Sequence, residues 1–589
     1  MGTRCLTIFL TIFLFISSKL VWAQQKQFVL SLTDQAKYSA SFTHFNYVNP
    51  AAPQGGKIRI GTVGSFDSFN PFILQGIAPQ GLELIYDSLL AKSQDEIASY
   101  YPLLAEYFII DEQAKKVTFK INDAARWHDA SKLTNQDVLF SFNMLKEQGH
   151  PYYKIMLGNF SKAELEQNNK ISFYFKEQVN YDLLAKLATI AIFSQQYYKQ
   201  HEFTKTSLEK PLASGPYQIA EFKAPRNISY IRNHDYWANN LNVNQGRYNF
   251  REVSYHYYRD ANSAILGLKA DEYDLRFENI AKNWSNAYVQ EAGKNLVKEK
   301  IKHQIPTGMQ AFAFNLRKSK FQDELVRKAL NYAFDFNWTN RNLFYSSYER
   351  TESFFSNSPY QADTKLSKKE RDFLGGDLEQ YRDLVKPIST DGSGNNRANL
   401  KKAMQLLEQA GWQIKDFELT NAGGEVFNIE FLITSPSFQR VILPYIKNLR
   451  KLGIEAEIRM VDFSQYQQRL QNFDFDVVVT VYPGVNIPGN EQLNFWHSKY
   501  ANVPGSRNII AVENPLIDEI LENLAAAETY NDKKFYAKLL DRVLRKHYYV
   551  VPQWNLGSFR IVYWRDRFSM PDVRPIYELG IDSWWAISQ

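Results

Sequence analysis

FDFDVVVTVYPGVNIPGNEQLNFW, residues 473–496, joins a run of β-branched residues to a loop of proline, glycine and asparagine. Val477, Val478, Val479, Thr480 and Val481 are followed at once by Tyr482, Pro483 and Gly484. A continuous apolar run of this length, stopped by turn residues, predicts a strand buried on both faces, as in the parallel sheets of α/β proteins. In such sheets ligands sit just past the carboxyl ends of the strands. The loop that follows carries one carboxylate, Glu491, and one large aromatic, Trp496, on a backbone rich in glycine and proline.

Working outward, the preceding segment has the same character. A strand over 427–433 leads to a helix with Ser435 as N-cap, Pro436 at its first position and Gly453 just past its end, and a strand over 454–461 follows. Strand, helix, strand implies parallel neighbours joined by a right-handed crossover. Upstream, 311–315 reads as a strand and Asp323 caps a helix with Leu325, Ala329, Leu330, Ala333 and Phe334 on one face. Downstream, Asn514 and Pro515 open one helix, and 533–545 reads as another. Nearer the start, a polar leader (24–53) precedes a strand at 57–62 and a helix over 82–90. Further strands are expected at 117–121, 171–175, 253–258 and 273–277, with a helix capped by Thr134 and a turn into a strand at 212–219.

At 589 residues the chain exceeds one hydrophobic core and predicts two to four domains. Aromatics reach 15%, which suits a binding cleft and equally a large mixed core. Arg4, the apolar run 6–16 and the small-residue pattern ending at Ala23 read as a secretory signal peptide (1–23), cut after Ala23. Without Arg4 and Lys19 the formal charge falls from +6 to +4, too little and too scattered for a nucleic-acid footprint. Nothing later reaches a transmembrane length, so no membrane span is expected. The single cysteine, Cys5, lies before the apolar run, which argues against a lipid anchor, a disulfide or thiol chemistry. An exported, cysteine-free protein of this size fits a bacterial periplasm.

The nine histidines show no metal-ligand spacing, and neither a G-x-S-x-G elbow nor a phosphate-cradling glycine loop is present. His128-Asp129 and His234-Asp235 are sequential neighbours, which point their side chains apart. The sequence therefore predicts no enzyme, no catalytic residue, no metal and no cofactor; a carboxylate pair brought together by folding is the one hydrolytic arrangement left open.

Several stretches together resemble the family 5 extracellular solute-binding proteins, the substrate-binding components of ABC importers. Phe66-Asp67-Ser68-Phe69-Asn70-Pro71 is similar to the family's first loop. Trp127-His128-Asp129 with Leu133-Thr134, Asp137-Val138 and Ser141-Phe142 resembles its W-x-D-G-x-x-L-T-A-x-D-V signature, with Ala130 in place of the usual glycine. Ser214-Gly215-Pro216-Tyr217, His234-Asp235-Tyr236-Trp237, and Phe314-Asn315-Leu316 followed by Val326-Arg327-Lys328-Ala329-Leu330 match further elements. Phe321-Gln322-Asp323, Ala333-Phe334-Asp335-Phe336, Asn342-Leu343-Phe344-Tyr345 and Pro488-Gly489-Asn490-Glu491-Gln492 resemble its YejA-like branch.

The resemblance implies a two-lobed periplasmic-binding-protein fold of type II, cluster C, mixed α/β, with an extra domain on the first lobe. The first lobe would comprise 24–88, 205–305 and 546–589, the extra domain 89–204 and the second lobe 306–545. It implies an oligopeptide ligand, an ABC permease with its ATPase as partner, and a monomer. In oligopeptide-binding relatives the ligand backbone adds as a strand between two protein segments. Here these are Gln75, Gly76 and Ile77, and Val481, Tyr482 and Pro483, with Tyr482 at a position that is aromatic in those relatives. The aspartate that holds the ligand's α-amino group there has no counterpart; Val485 stands near its position, and Glu491 is the nearest acid. Position alone adds Glu278, Trp284, Asn315, Arg317, Arg350, Ser353, Trp496 and Trp554 as candidate ligand-binding residues. Alternatives that the residues leave open are the same fold with a sugar oligomer, a metal chelate or a peptide-nucleotide conjugate, an exported hydrolase, and a periplasmic chaperone.

Overall fold

A computed structural model describes residues 25–33, 35–288 and 295–587; the expected signal peptide lies outside the described residues. Two sheets organise the molecule. The first has seven strands in the order Leu296–Lys302, Ser558–Trp564, Leu275–Phe277, Lys57–Val63, Glu252–Tyr258, Asn227–Arg232 and Tyr217–Lys223. Lys57–Val63 runs parallel to both of its neighbours, while Ser558–Trp564 runs against Leu275–Phe277 and Leu296–Lys302. The second has five strands in the order Glu455–Met460, Asn428–Ile433, Val477–Tyr482, Met309–Phe314 and Val550–Pro552, the first three parallel. Helices Glu324–Ala333 and Gln439–Arg450 and the strand residues Phe312, Phe431 and Val477 share one core, while Pro515–Ala526 and Tyr530–Lys546 pack with Val478 and Leu432 in another. This is the both-faces coverage that a central run of valines demands.

A four-stranded antiparallel sheet, Ala105–Asp111, Lys116–Ile121, Lys170–Phe175 and Phe160–Glu166, forms the extra unit with helix Asn135–Gln148. Thr134 caps that helix in a reciprocal box with Asp137.

Four expectations change. Residues 82–90 form a single 3-10 turn, Leu82–Ile85, and then a strand, Leu90–Lys92. Leu89 cannot stay helical because its carbonyl accepts from the Leu103 and Ala105 amides. The leader is not a polar tail: Tyr38, Phe45 and Tyr47 are buried with Tyr101 and Tyr236. The second lobe does not end at 545, since Val550–Pro552 pairs with Ala311, Phe312 and Ala313. The Val477–Tyr482 strand is buried on both faces only at its start, because Val481 is 55% exposed.

Direction places the working end of each sheet. Phe277, at the carboxyl end of its strand, stands opposite Ile561, and Ser558 is where the chain enters the first sheet from the second. Tyr482 stands opposite Met309, where the chain enters the second sheet from the first. The carboxyl ends of both sets of parallel strands therefore lie beside the linkers 303–308 and 556–557. Gly308 allows this closeness: its φ is +64°, and a Cβ there would stand 2.1 Å from the Tyr482 carbonyl oxygen.

Candidate functional site

The site begins with one free strand edge. Asn315 N–H donates to the Asp476 carbonyl at 2.9 Å, which fixes the alternation: Asp476, Val478, Thr480 and Tyr482 exchange bonds with Met309–Phe314 and its flank. Val477, Val479 and Val481 therefore turn their N–H and C=O groups the other way. Pairing with Asn428–Ile433 ends at Val478, and the Val479 carbonyl accepts the Tyr466 hydroxyl at 3.3 Å. Beyond that point no strand among the described residues pairs with the edge, and Val481 offers both its N–H and its C=O.

Exposed apolar side chains gather at the same end. In the second lobe they are Val481, Met460 at the end of its strand, and Phe463 just after it; in the first they are Val63, Phe277 and Ile280. Each follows or closes a strand whose carboxyl end faces the linkers. The two lobes touch there: the Tyr348 hydroxyl donates to the Asn279 carbonyl (3.4 Å), and Arg560 Nη2 donates to the Ser347 carbonyl (2.6 Å). The Arg560 guanidinium also lies 4.9 Å from the Tyr348 ring centroid.

The candidates read from sequence divide three ways. Val481, Pro483, Glu491, Arg350 and Trp554 lie at or near this junction. Trp554 is half-buried beside Phe344 and Tyr348 and pairs with Arg350 across a two-residue ladder. The Arg350 guanidinium lies over the Phe334 and Phe336 rings with none of its nitrogens hydrogen-bonded, and burial pushes it down to about 9. Glu491 opens the helix Glu491–Trp496; its Oε1 accepts the Gly489 N–H at 3.0 Å, and it lies near enough to Lys186 of the extra unit to favour that ammonium's charge.

A second group holds the protein together. Tyr482 does not present its ring to the cleft: alternation turns it inward, where it stacks on Trp496 at 4.4 Å. Trp496 is likewise buried. Asn315 donates to the Phe473 and Phe475 carbonyls, and Arg317 clamps Asn315 Oδ1 and the Ile509 carbonyl rather than pairing with Asp323, which caps its helix. Ser353 Oγ takes the Phe355 N–H, Glu278 is locked to Arg276 and Tyr288, and Trp284 is packed beneath Arg560 and Lys298. These side chains are committed inside the fold; the Tyr482 hydroxyl and Arg317 Nε have no hydrogen-bond partner among the described residues, but both atoms are buried.

The third group is a turn where a strand was expected. Gly76 has φ +85°, and a Cβ there would meet Ser68 Cβ at 2.6 Å. Ile77 spends its N–H on Asp67 Oδ1 (2.6 Å) and its carbonyl on the Asp67 and Ser68 amides. With Ile77 closed in this way, Gln75, Gly76 and Ile77 cannot act together as a pairing strand. Sequence reasoning did not single out Met460, Phe463, Phe277 and Ile280, although the rule that pointed to Val481 covers residues that close or follow a parallel strand; Tyr466, inside the helix Phe463–Gln471, carries no such signal.

Among the described residues no cluster of three or more His, Cys, Asp or Glu could hold a metal, and no helix is long and apolar enough to cross a membrane.

Residues 99–503 match the model of the bacterial extracellular solute-binding proteins, family 5. The chain is 37% identical to "Uncharacterized protein YejA" of Escherichia coli (strain K12), over 99% of this chain and 97% of that one. It is 34% identical to "Probable peptide-binding protein YejA" of Agrobacterium fabrum (strain C58 / ATCC 33970), over 95% and 93%. Among solved structures, the oligopeptide-binding protein AppA from Bacillus subtilis, in complex with a nonapeptide, superposes with a TM-score of 0.62. That match covers 91% of this chain and 100% of the other, at 20% identity, and so speaks to the fold alone.

Proposed function

This chain belongs to the family 5 extracellular solute-binding proteins, the non-catalytic solute-binding components of ABC importers, and from that premise we propose that its solute is an oligopeptide. The peptide lies between the two lobes in extended form and adds to the open edge of Val477–Tyr482. One observation carries the reading: Val481 is exposed, with its N–H and C=O turned away from Met309–Phe314, at the end of the sheet where the two lobes meet. A main chain is the ligand chemistry that an unpaired strand edge recognises, and it recognises it without regard to side-chain identity. The name of the Agrobacterium relative supports the same class. Met460, Phe463, Phe277 and Ile280 give the ligand's side chains apolar surroundings.

Glu491 is the acid we assign to a free α-amino group, since its carboxylate is already oriented by the Gly489 N–H. The protein works in the periplasm as a monomer after removal of its signal peptide (1–23), and hands its peptide to a membrane permease whose ATPase drives transport.

The test is thermal unfolding of protein refolded to strip ligand, titrated with a mixed peptide library, together with mass spectrometry of whatever co-purifies. A ligand at a hundred times its Kd adds about 2.7 kcal/mol of stability. Saturable stabilisation by peptides is the expected result, with acetylated N-termini weaker than free ones. Stabilisation by sugars or metal chelates and not by peptides would overturn the substrate assignment while leaving the family intact.

A further inference from the structure

A second cavity lies in the first lobe, about 430 Å³ in volume and away from the lobe junction. It opens between the 3-10 turn Leu82–Ile85, the start of the Tyr217–Lys223 and Glu252–Tyr258 strands, and residues 578–582. Glu252–Tyr258 runs toward the linkers, and the cavity takes only Val253 and Tyr255 from it, the nearer of them about 10 Å along the strand from its carboxyl end.

Its lining has one chemistry. Glu83 and Glu578 present solvent-accessible carboxyl groups inside it, yet protein surrounds them closely enough that burial pushes both pKa values up. Among the described residues no side chain is hydrogen-bonded to either: Glu83 is met by backbone N–H groups, its own and that of Gly81, and Glu578 by the charges of Lys92 and Arg247. The other acids are already engaged. Asp582 is paired with Arg247 (2.5 Å) and takes the Gln94 amide, and Asp87 accepts from Tyr236 Oη (2.7 Å) and Trp237 Nε1 (2.9 Å). Lys92 is the one cation in the lining outside the Arg247–Asp582 pair, and its charge already favours the Glu578 carboxylate. Gln94 supplies a separate sign: it is 5% exposed, lines the cavity, and leaves Oε1 without a hydrogen-bond donor. Tyr86, Tyr217, Tyr248 and Tyr255 contribute the aromatic walls. Two carboxylates with no side-chain hydrogen bond, an unserved amide oxygen and tyrosine rings all call for the same thing, a ligand that donates hydrogen bonds and carries positive charge.

We propose that this cavity is a second ligand site, for a small organic cation bearing amine or guanidinium groups. It is independent of the peptide edge: the cavity draws no residue from the second lobe. Two opposed carboxylates suit a ligand charged at both ends, with its methylene or guanidinium portion against the tyrosines. The volume admits a chain of a few carbons and excludes a folded oligopeptide.

Agmatine, with an amine at one end and a guanidinium at the other, is the probe. Calorimetric titration at pH 8 is expected to show one saturable site in the unmodified protein and in Val481→Pro. Glu83→Gln combined with Glu578→Gln is expected to weaken it at least tenfold, with the fold checked by circular dichroism. If the double variant fails to fold, Glu83→Gln alone and competition by putrescine on the unmodified protein carry the same reading. Absence of saturable binding at millimolar agmatine, binding undiminished in the glutamine variants, or binding lost in Val481→Pro would each overturn the proposal. The last outcome would place the cation in the peptide cleft, and a failure of peptide binding with agmatine binding intact would overturn the peptide reading alone.

Discussion

In the proposed peptide reading, Val481 is the position at which backbone geometry turns into ligand recognition. Its N–H points away from Met309–Phe314, so replacing it with proline removes a donor that the sheet does not use. Val481→Pro is therefore expected to change stability by less than about 1 kcal/mol while weakening peptide binding tenfold or more, measured by denaturant melts and titration on the same sample. Val481→Thr keeps the N–H and should bind normally. Arg317 makes the opposite case. Its guanidinium bonds Asn315 Oδ1 (3.0 Å) and the carbonyls of Ile509 (2.8 Å) and Ala501, and stacks 3.5 Å from the Phe473 ring centroid. Arg317→Ala leaves those carbonyls unpaired and is expected to cost about 2–4 kcal/mol. Peptide affinity of the folded fraction should stay within twofold; a loss of affinity without a loss of stability would return Arg317 to the ligand.

Elements meet through their ends as much as through their faces. Glu324 sits in the first turn of Glu324–Ala333, and its carboxylate joins Lys546 Nζ (2.5 Å) and His547 Nδ1 (2.9 Å) at the close of Tyr530–Lys546. Partial burial opposes the charge, but those two bonds overcome it and hold the carboxyl down to about 2. Because its folded pKa lies below the ordinary value near 4.3, Glu324 stabilises the protein above that pH and loses its contribution as pH falls toward 2. Glu324→Gln is expected to cost about 1–3 kcal/mol at pH 6 and almost nothing at pH 2, read from denaturant midpoints across that range. At this scale the sequence was most legible where one element carries its own signals. Pro436 and Gly453 bracket a helical stretch, and parallel strands flank it as the order strand, helix, strand predicts. Residues 82–90 carried an equally good helical spacing and gave a turn and a strand, because Asp87 is drawn to Tyr236 and Trp237, some 150 positions away. The site failed to be legible for the same reason. Which edge of Val477–Tyr482 stays open depends on where Asn428–Ile433 stops and on Tyr466 closing the Val479 carbonyl, and neither fact is local to 473–496.

At the scale of the molecule, what matters is how two lobes share two linkers. His303 N–H donates to the Gly557 carbonyl at 3.2 Å, so the outgoing and returning chains are tied to each other. Asn357, in the second lobe, holds the first of them: its Nδ2 donates to the His303 and Ile305 carbonyls, each at 2.9 Å, while the Thr307 N–H reaches the Ser356 carbonyl at 3.0 Å. In the proposed reading a peptide paired at Val481 would lie next to this pivot, because Gly308 packs against Tyr482 and Gly484. Ligand shifts such a protein between open and closed forms only by its differential affinity for the two. Loosening the pivot should therefore change affinity without touching a ligand contact. Asn357 has φ +58°, so alanine would add backbone strain to the loss of its bonds, whereas glycine tolerates that conformation and isolates the bonds. Asn357→Gly is expected to weaken peptide binding about three- to thirtyfold, the reach of a coupling of about 0.7–2 kcal/mol. X-ray scattering should show the unmodified protein contracting when peptide saturates it and the variant needing correspondingly more peptide for the same contraction. If Asn357→Gly binds as tightly as the unmodified protein while losing stability, the side chain braces the fold and the pivot lies elsewhere. If affinity falls and saturating peptide still produces the full contraction, the linkers set the closing equilibrium and Val481 supplies the contact that draws on it.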